Sequence, residues 1–119
     1  MTAEQTGGRL GLLEVTVPAG EGTPLHRHER EDEFFQVLAG RVAFSCGEDH
    51  VELMEGGSIF LPRGIPHRFS NLGDDPARLL VIVTPGGFEG FFGAVADQRV
   101  SGPKELAGLA ATYGLTFLG

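Results

Sequence analysis

What limits this chain most is its punctuation. Nineteen glycines and seven prolines are spread through 119 residues, and between them lie only short apolar runs. They follow no fixed period and do not gather into one linker, so neither a collagen-like rod nor a flexible tether fits. Most of the runs are too short for an ordinary helix, which needs about ten residues or more. Short strands at a spacing of about 8–12 residues, broken by glycine and proline, predict an all-β sandwich or barrel.

The runs can be placed in order. Leu10–Val17 is a first strand that stops at Pro18-Ala19-Gly20, and Leu25–His28 is a short extended piece after Pro24. Phe34–Leu38 and Arg41–Cys46 make the arms of a hairpin across Ala39-Gly40. His50–Leu53, Ser58–Leu61 and His67–Ser70 follow as short strands, the last closed by a turn over Asn71–Pro76. Arg78–Val83 is the clearest strand, and its unbroken aliphatic stretch predicts burial on both faces. After Gly87 the character changes. Phe88, Phe91, Phe92 and Val95 recur at helical spacing, and Pro103 opens a second helical pattern that ends at Gly114. A helical tail over about 88–114 is expected, with Leu115–Leu118 a last strand.

The net charge of −7 speaks against nucleic acid or an anionic membrane surface as a partner, because both call for a basic patch. No apolar run approaches the roughly 18 residues that span a bilayer. The start, MTAEQTGGRL, lacks the basic and apolar regions of a signal peptide, and the single Cys46 cannot form an internal disulfide. A cytoplasmic protein is expected.

Chemistry concentrates in two segments. Gly20–Gly40 carries His26 and His28 two residues apart, a parity that puts both imidazoles on one face of an extended chain, with Glu33 five residues further on. Gly56–Asn71 carries His67 behind Pro62, Gly64 and Pro66. Neutral imidazole and carboxylate are ordinary ligands of first-row transition metals. A solvated acidic loop over Glu29–Glu33 and unremarkable surface histidines would leave the same letters. The residues alone keep both readings open.

The spacing resembles a known pattern. Gly20-x5-His26-x-His28-x4-Glu33-x6-Gly40 and Gly56-x5-Pro62-x-Gly64-x2-His67-x3-Asn71 match the two motifs of the cupin superfamily at every specified position. The resemblance spans a little under half the chain and is strongest to small single-domain cupins similar to quercetin dioxygenases. It implies one domain over 1–119, a double-sheet jelly-roll barrel holding one divalent transition metal (Fe, Mn, Ni, Co or Zn). His26, His28, Glu33 and His67 stand at the ligand positions, with Glu31 and Asp32 near enough to compete with Glu33.

It also implies an enzyme with an oxygen-dependent, flavonol- or diketone-cleaving activity, in which Glu33 ligates the metal or takes the substrate proton. A non-redox cyclase or isomerase acting on polyketides, and a binding barrel without catalysis, are the other two readings of the same site. Phe35, Phe44, Phe60 and Phe69 could line the mouth, although core packing is the more ordinary role for most of them. Arg63 could reach a substrate, while Arg27 and Arg68 point away by strand parity. His50 reads as a surface residue and Cys46 as structural. Asn71 reads as a turn or strand-end residue bonded to backbone. Relatives carry more strand sequence before the counterpart of Thr6-Gly7-Gly8, so an open sheet edge, and from it a homodimer, is expected.

Overall fold

The computed structural model describes residues 1–86 and 115–117. The expected helical tail over about 88–114 lies outside them. A four-residue helix, α1 (Ala3–Thr6), precedes β1 (Gly11–Val17), β2 (His26–His28), β3 (Asp32–Ala39), β4 (Arg41–Cys46) and β5 (Asp49–Met54). Then come β6 (Ser58–Leu61), β7 (His67–Asn71), β8 (Ala77–Thr84) and β9 (Leu115–Phe117). The strands form two antiparallel sheets, ordered β1-β8-β3-β6 and β5-β4-β7-β2-β9. This is the double-sheet jelly roll that the cupin resemblance implies, within the sandwich-or-barrel class that the turn-rich pattern predicts, and every strand placed from sequence falls within two residues of an observed one.

Between the sheets lies a core of Val17, Phe35, Val37, Val42, Phe44, Leu61, Phe69, Leu79 and Val81. Phe35, Phe44 and Phe69 meet with ring centroids 5.4–5.7 Å apart, a spacing at which tilted aromatic rings attract. The hairpin between β3 and β4 turns on Gly40 (φ +97°), where a Cβ would stand 2.9 Å from that of Ala77. Neither the angle nor the space admits a side chain. Buried Asn71 ties three segments together as a strand-end residue. Its amide donates to the carbonyls of Val17 (3.0 Å) and Asp75 (2.8 Å), and its oxygen accepts from Gly73 N–H at 2.9 Å.

Burial on both faces of β8 is not what forms. Ala77, Leu79, Val81 and Val83 are buried, whereas Arg78 is exposed and Leu80, Ile82 and Thr84 are half-buried. The outward residues join an apolar row across the sheet, Leu12–Ile82–Phe34–Phe60, set by the strand registers. The aliphatic run therefore serves one core face and one outer stripe. Phe60 sits at the end of that stripe, 53% exposed, and does not line the barrel mouth. The expected open edge is also narrower than the sequence suggests. The Met1 amine donates to Leu12 O (2.6 Å) and Leu12 N–H donates to Met1 O (2.7 Å), so the chain covers part of the β1 edge itself.

Candidate metal centre

Three histidines meet inside the barrel. His26 and His28 end up on the inner face of β2, with the half-buried Arg27 between them paired to Glu29. His67 opens β7 directly opposite His26 in register. The loop that delivers His67 is fixed at Gly64 (φ +80°), whose N–H donates to His28 O at 2.8 Å, so the second segment is tied to the first beside its ligand strand. The ring centroids of the three lie 4.4–5.4 Å apart, and one nitrogen from each can be chosen so that all lie within 4.8 Å.

Glu33 stands beside this trio. It lies on β3 facing inward with Phe35 and Val37, because Phe34 and Gln36 face out. Its Oε1 is 2.7 Å from His28 Nε2 and its Oε2 is 3.5 Å from His67 Nε2. The rival carboxylates go elsewhere. Asp32 points outward and accepts from the Arg63 backbone N–H (2.8 Å) and guanidinium (3.0 Å). That pair also takes Arg63 out of reach of the barrel interior. Glu31 is buried, but on the far side of His28, with Oε2 3.4 Å from Nδ1.

The remaining singled-out residues fall as parity implies. Arg68 is exposed, and His50 is exposed with Nδ1 2.8 Å from Ser45 Oγ. Burial pushes the Cys46 thiol upward, which leaves it unactivated at neutral pH.

The donor atoms suit a cation. His26 Nδ1–H donates to Pro24 O at 2.8 Å, which leaves Nε2 as the acceptor. Burial holds the His26 pKa down at about 4, so the ring is neutral at pH 7. His67 is buried with no hydrogen-bond partner for either ring nitrogen among the described residues. Such an orphan is costly unless something else fills the place. Burial opposes charge on His28, yet the facing carboxylates of Glu31 and then Glu33 outweigh it and raise the pKa to about 9. Burial likewise opposes charge on Glu33, and the bond from His28 together with the nearby His67 ring outweighs it and lowers the pKa to about 2. The Glu33 carboxylate is thus offset by the His28 proton where a divalent ion would serve.

A pH dependence follows. The His28 pKa is raised from 6.5 to about 9, so across that window the metal-free chain carries a proton that a ligated His28 must give up. His26 is already neutral and releases none. Affinity for a divalent transition ion should rise about tenfold per pH unit from 6.5 towards 9. Isothermal titration in two buffers of different ionisation enthalpy should show about one proton released per ion. Affinity that stays flat across this window would contradict the assignment of the proton.

A cavity of about 310 Å³ opens from this cluster. Leu13, Val15, Val17, Val81 and Val83 wall one side, and Phe35, Phe69 and Leu115 the other parts. Sequence reasoning foresaw Phe35 and Phe69 but none of the β1 and β8 wall. Glu21, Thr16 and Thr23 add polar atoms, and no lysine or arginine is found among the described lining residues.

Residues 13–83 match the family model for the cupin domain. The chain belongs to the cupin superfamily. It is 32% identical over 79 residues to the uncharacterized protein MJ1618 of Methanocaldococcus jannaschii, covering 66% of this chain and 63% of that one. It is 29% identical over 98 residues to the tetracenomycin polyketide synthase protein TcmJ of Streptomyces glaucescens, covering 82% and 64%. The chain thus spans less than two thirds of the length of these curated relatives. Among solved structures, TT1209 from Thermus thermophilus superposes with a TM-score of 0.62 at 32% identity, covering 66% of this chain and 74% of that one. No helix among the described residues is long and apolar enough to cross a membrane.

Proposed function

We propose that residues 1–119 form one metal-dependent cupin enzyme whose substrate is an uncharged, largely apolar small molecule bearing a ketone or enol, of diketone or polyketide character. The observation that carries this reading is the cavity: aliphatic and aromatic walls end at His26, His28 and Glu33, with His67 packed against His26 behind them, and no lysine or arginine is found among the described lining residues. An anionic substrate would lose its hydration there and find no lysine or arginine along the described walls. The polyketide synthase relative supports the same substrate class.

His26, His28 and His67 would hold the ion, and Glu33 would complete the set or stand free of it. A divalent transition ion bound there supplies a Lewis acid for a carbonyl or enol oxygen. Glu33 is placed to take a proton from the carbon or hydroxyl next to that oxygen and to return it to the product. The apolar walls hold the substrate flat against the cluster and exclude water from it. This is isomerase or cyclase chemistry. Oxygen-dependent ring cleavage is the second reading, favoured by a set of three imidazoles and one carboxylate that suits redox-active ions equally well.

A cytoplasmic setting and a homodimer complete the proposal. The surface that a second copy would bury is the Leu12–Ile82–Phe34–Phe60 row. Ion pairs of both signs, Glu14–Arg78 and Asp32–Arg63, lie beside it and allow the face to meet itself.

Calorimetric titration of the metal-loaded chain with benzoylacetone and with phthalate, similar in size but opposite in charge character, tests the substrate class. The diketone should bind at least about tenfold tighter, a difference of about 1.4 kcal/mol. Equal or reversed affinity would overturn the class. In turnover assays, product formed without oxygen uptake fits proton transfer, uptake fits ring cleavage, and binding with no product leaves a binding barrel.

A further inference from the structure

The sequence offers Glu31 only as a rival of Glu33 for the metal, and the structure gives it a different place. His28 lies between two buried carboxylates. Glu33 faces Nε2 at 2.7 Å and Glu31 faces Nδ1 at 3.4 Å, a distance long for a hydrogen bond but within ion-pair reach. The two ring nitrogens point to opposite sides, so the two carboxylates cannot reach one ion together. Glu31 Oε2 is buried and has no hydrogen-bond partner among the described residues. A carboxylate in that position is costly unless a proton donor faces it, and Nδ1–H of His28 is the group that does.

The placement is built rather than incidental. Glu31 and Glu33 have the same parity, and Asp32 between them is clasped outward by Arg63. The Gly64 N–H fixes the other side of the connection at His28 O. Between those two anchors, Glu31 is directed behind the histidine ring.

We propose that Glu31 is the positioning residue of the metal site: it accepts Nδ1–H of His28, fixes the tautomer that leaves Nε2 free for the ion, and makes that nitrogen a stronger donor. The inference rests on the metal reading above. It also ranks the three ligands. His28 is backed by a carboxylate, His26 by the neutral carbonyl of Pro24 at 2.8 Å, and His67 by no acceptor among the described residues. A charged partner behind an imidazole raises its basicity more than a carbonyl does.

The test is cobalt(II) binding by the wild-type chain and by the E31Q and E31M variants, read from the visible d–d spectrum, with metal-free melting curves as the fold control. E31M removes the acceptor and should weaken cobalt about 10–100-fold, the usual cost of losing such a partner. E31Q keeps an acceptor oxygen and should recover most of that affinity with an unchanged spectral envelope. Nitrogen-15 spectra of the zinc-loaded wild type should show His28 protonated at Nδ1 and ligated through Nε2.

Folded E31M that binds cobalt as the wild type does would overturn the proposal. So would E31Q that fails as badly as E31M with an altered d–d envelope, since that marks Glu31 as a ligand itself. Ligation of zinc through His28 Nδ1 would overturn it even if E31M did not fold. A wild-type chain that takes up no cobalt would sink the metal reading first and this inference with it.

Discussion

Replacing His67 with alanine should leave a folded chain that gains far less stability from a divalent transition ion than the wild type does. In the wild type, an ion at about 100 times its dissociation constant adds about 2.7 kcal/mol, which for a domain of this size raises the melting temperature by roughly 10 °C. His67 is only 1% exposed, yet its ring nitrogens have no hydrogen-bond partner among the described residues. Its removal loses no hydrogen bond among the described residues, only the 3.5 Å approach to Glu33 Oε2, so the cost to the metal-free fold is mainly that of a cavity. Because the site opens onto a cavity already, that cost falls at the low end of large-to-small substitutions, about 2 kcal/mol. The metal-dependent gain should fall steeply, since His26, His28 and Glu33 are left with one imidazole fewer around the ion. Melting curves with and without zinc or cobalt read both effects. A variant that keeps the full metal-induced shift would remove His67 from the site.

Phe44→Ala should cost about 3–5 kcal/mol, which is a large share of the 5–15 kcal/mol that a domain usually has. Phe44 is fully buried on β4 and packs between Phe35 and Phe69, at 5.5 and 5.7 Å. Those two rings also line the cavity, so the substitution loosens the site as well as the core. Phe60→Ala provides the contrast. That side chain is 53% exposed on the outer stripe and should cost under about 1 kcal/mol. Urea titrations of the two variants test the assignment of core and outer faces. Equal losses would mean that the faces have been exchanged by a register error.

Much of the site was legible because it depends on local parity. His26 and His28 two residues apart, with Arg27 between them, carry their geometry in the chain itself. The same holds for Glu33, which alternates inward with Phe35 and Val37. His67 was legible through the glycine and prolines that fix its loop. Asn71, a strand-end residue bonded to backbone, read correctly from its place in the second motif, and His50 from lying outside both.

What was not legible depends on pairing between strands distant in sequence. The wall of Leu13, Val15, Val81 and Val83 forms only when β1 and β8 meet in register, and no local pattern names that partner. The aliphatic run of β8 gave the wrong expectation because an outer stripe and a buried face use the same residues. Phe60 was misplaced for the same reason. Arg63 and Asp32 find each other across 31 positions, and their clasp lies next to Glu31 in the chain. Sequence could place Glu31 near the site but could not say on which side of the ring it would lie.

The central claim is that this barrel holds one transition ion on His26, His28 and His67. Elemental analysis of chain purified without added metal or chelator, beside a His26→Ala variant, tests it most directly. The account predicts close to one ion per wild-type chain and its loss in the variant. Iron, manganese, cobalt or nickel would direct attention to oxygen chemistry, and zinc to proton transfer. A wild-type chain with no ion, even after reconstitution, would contradict the account.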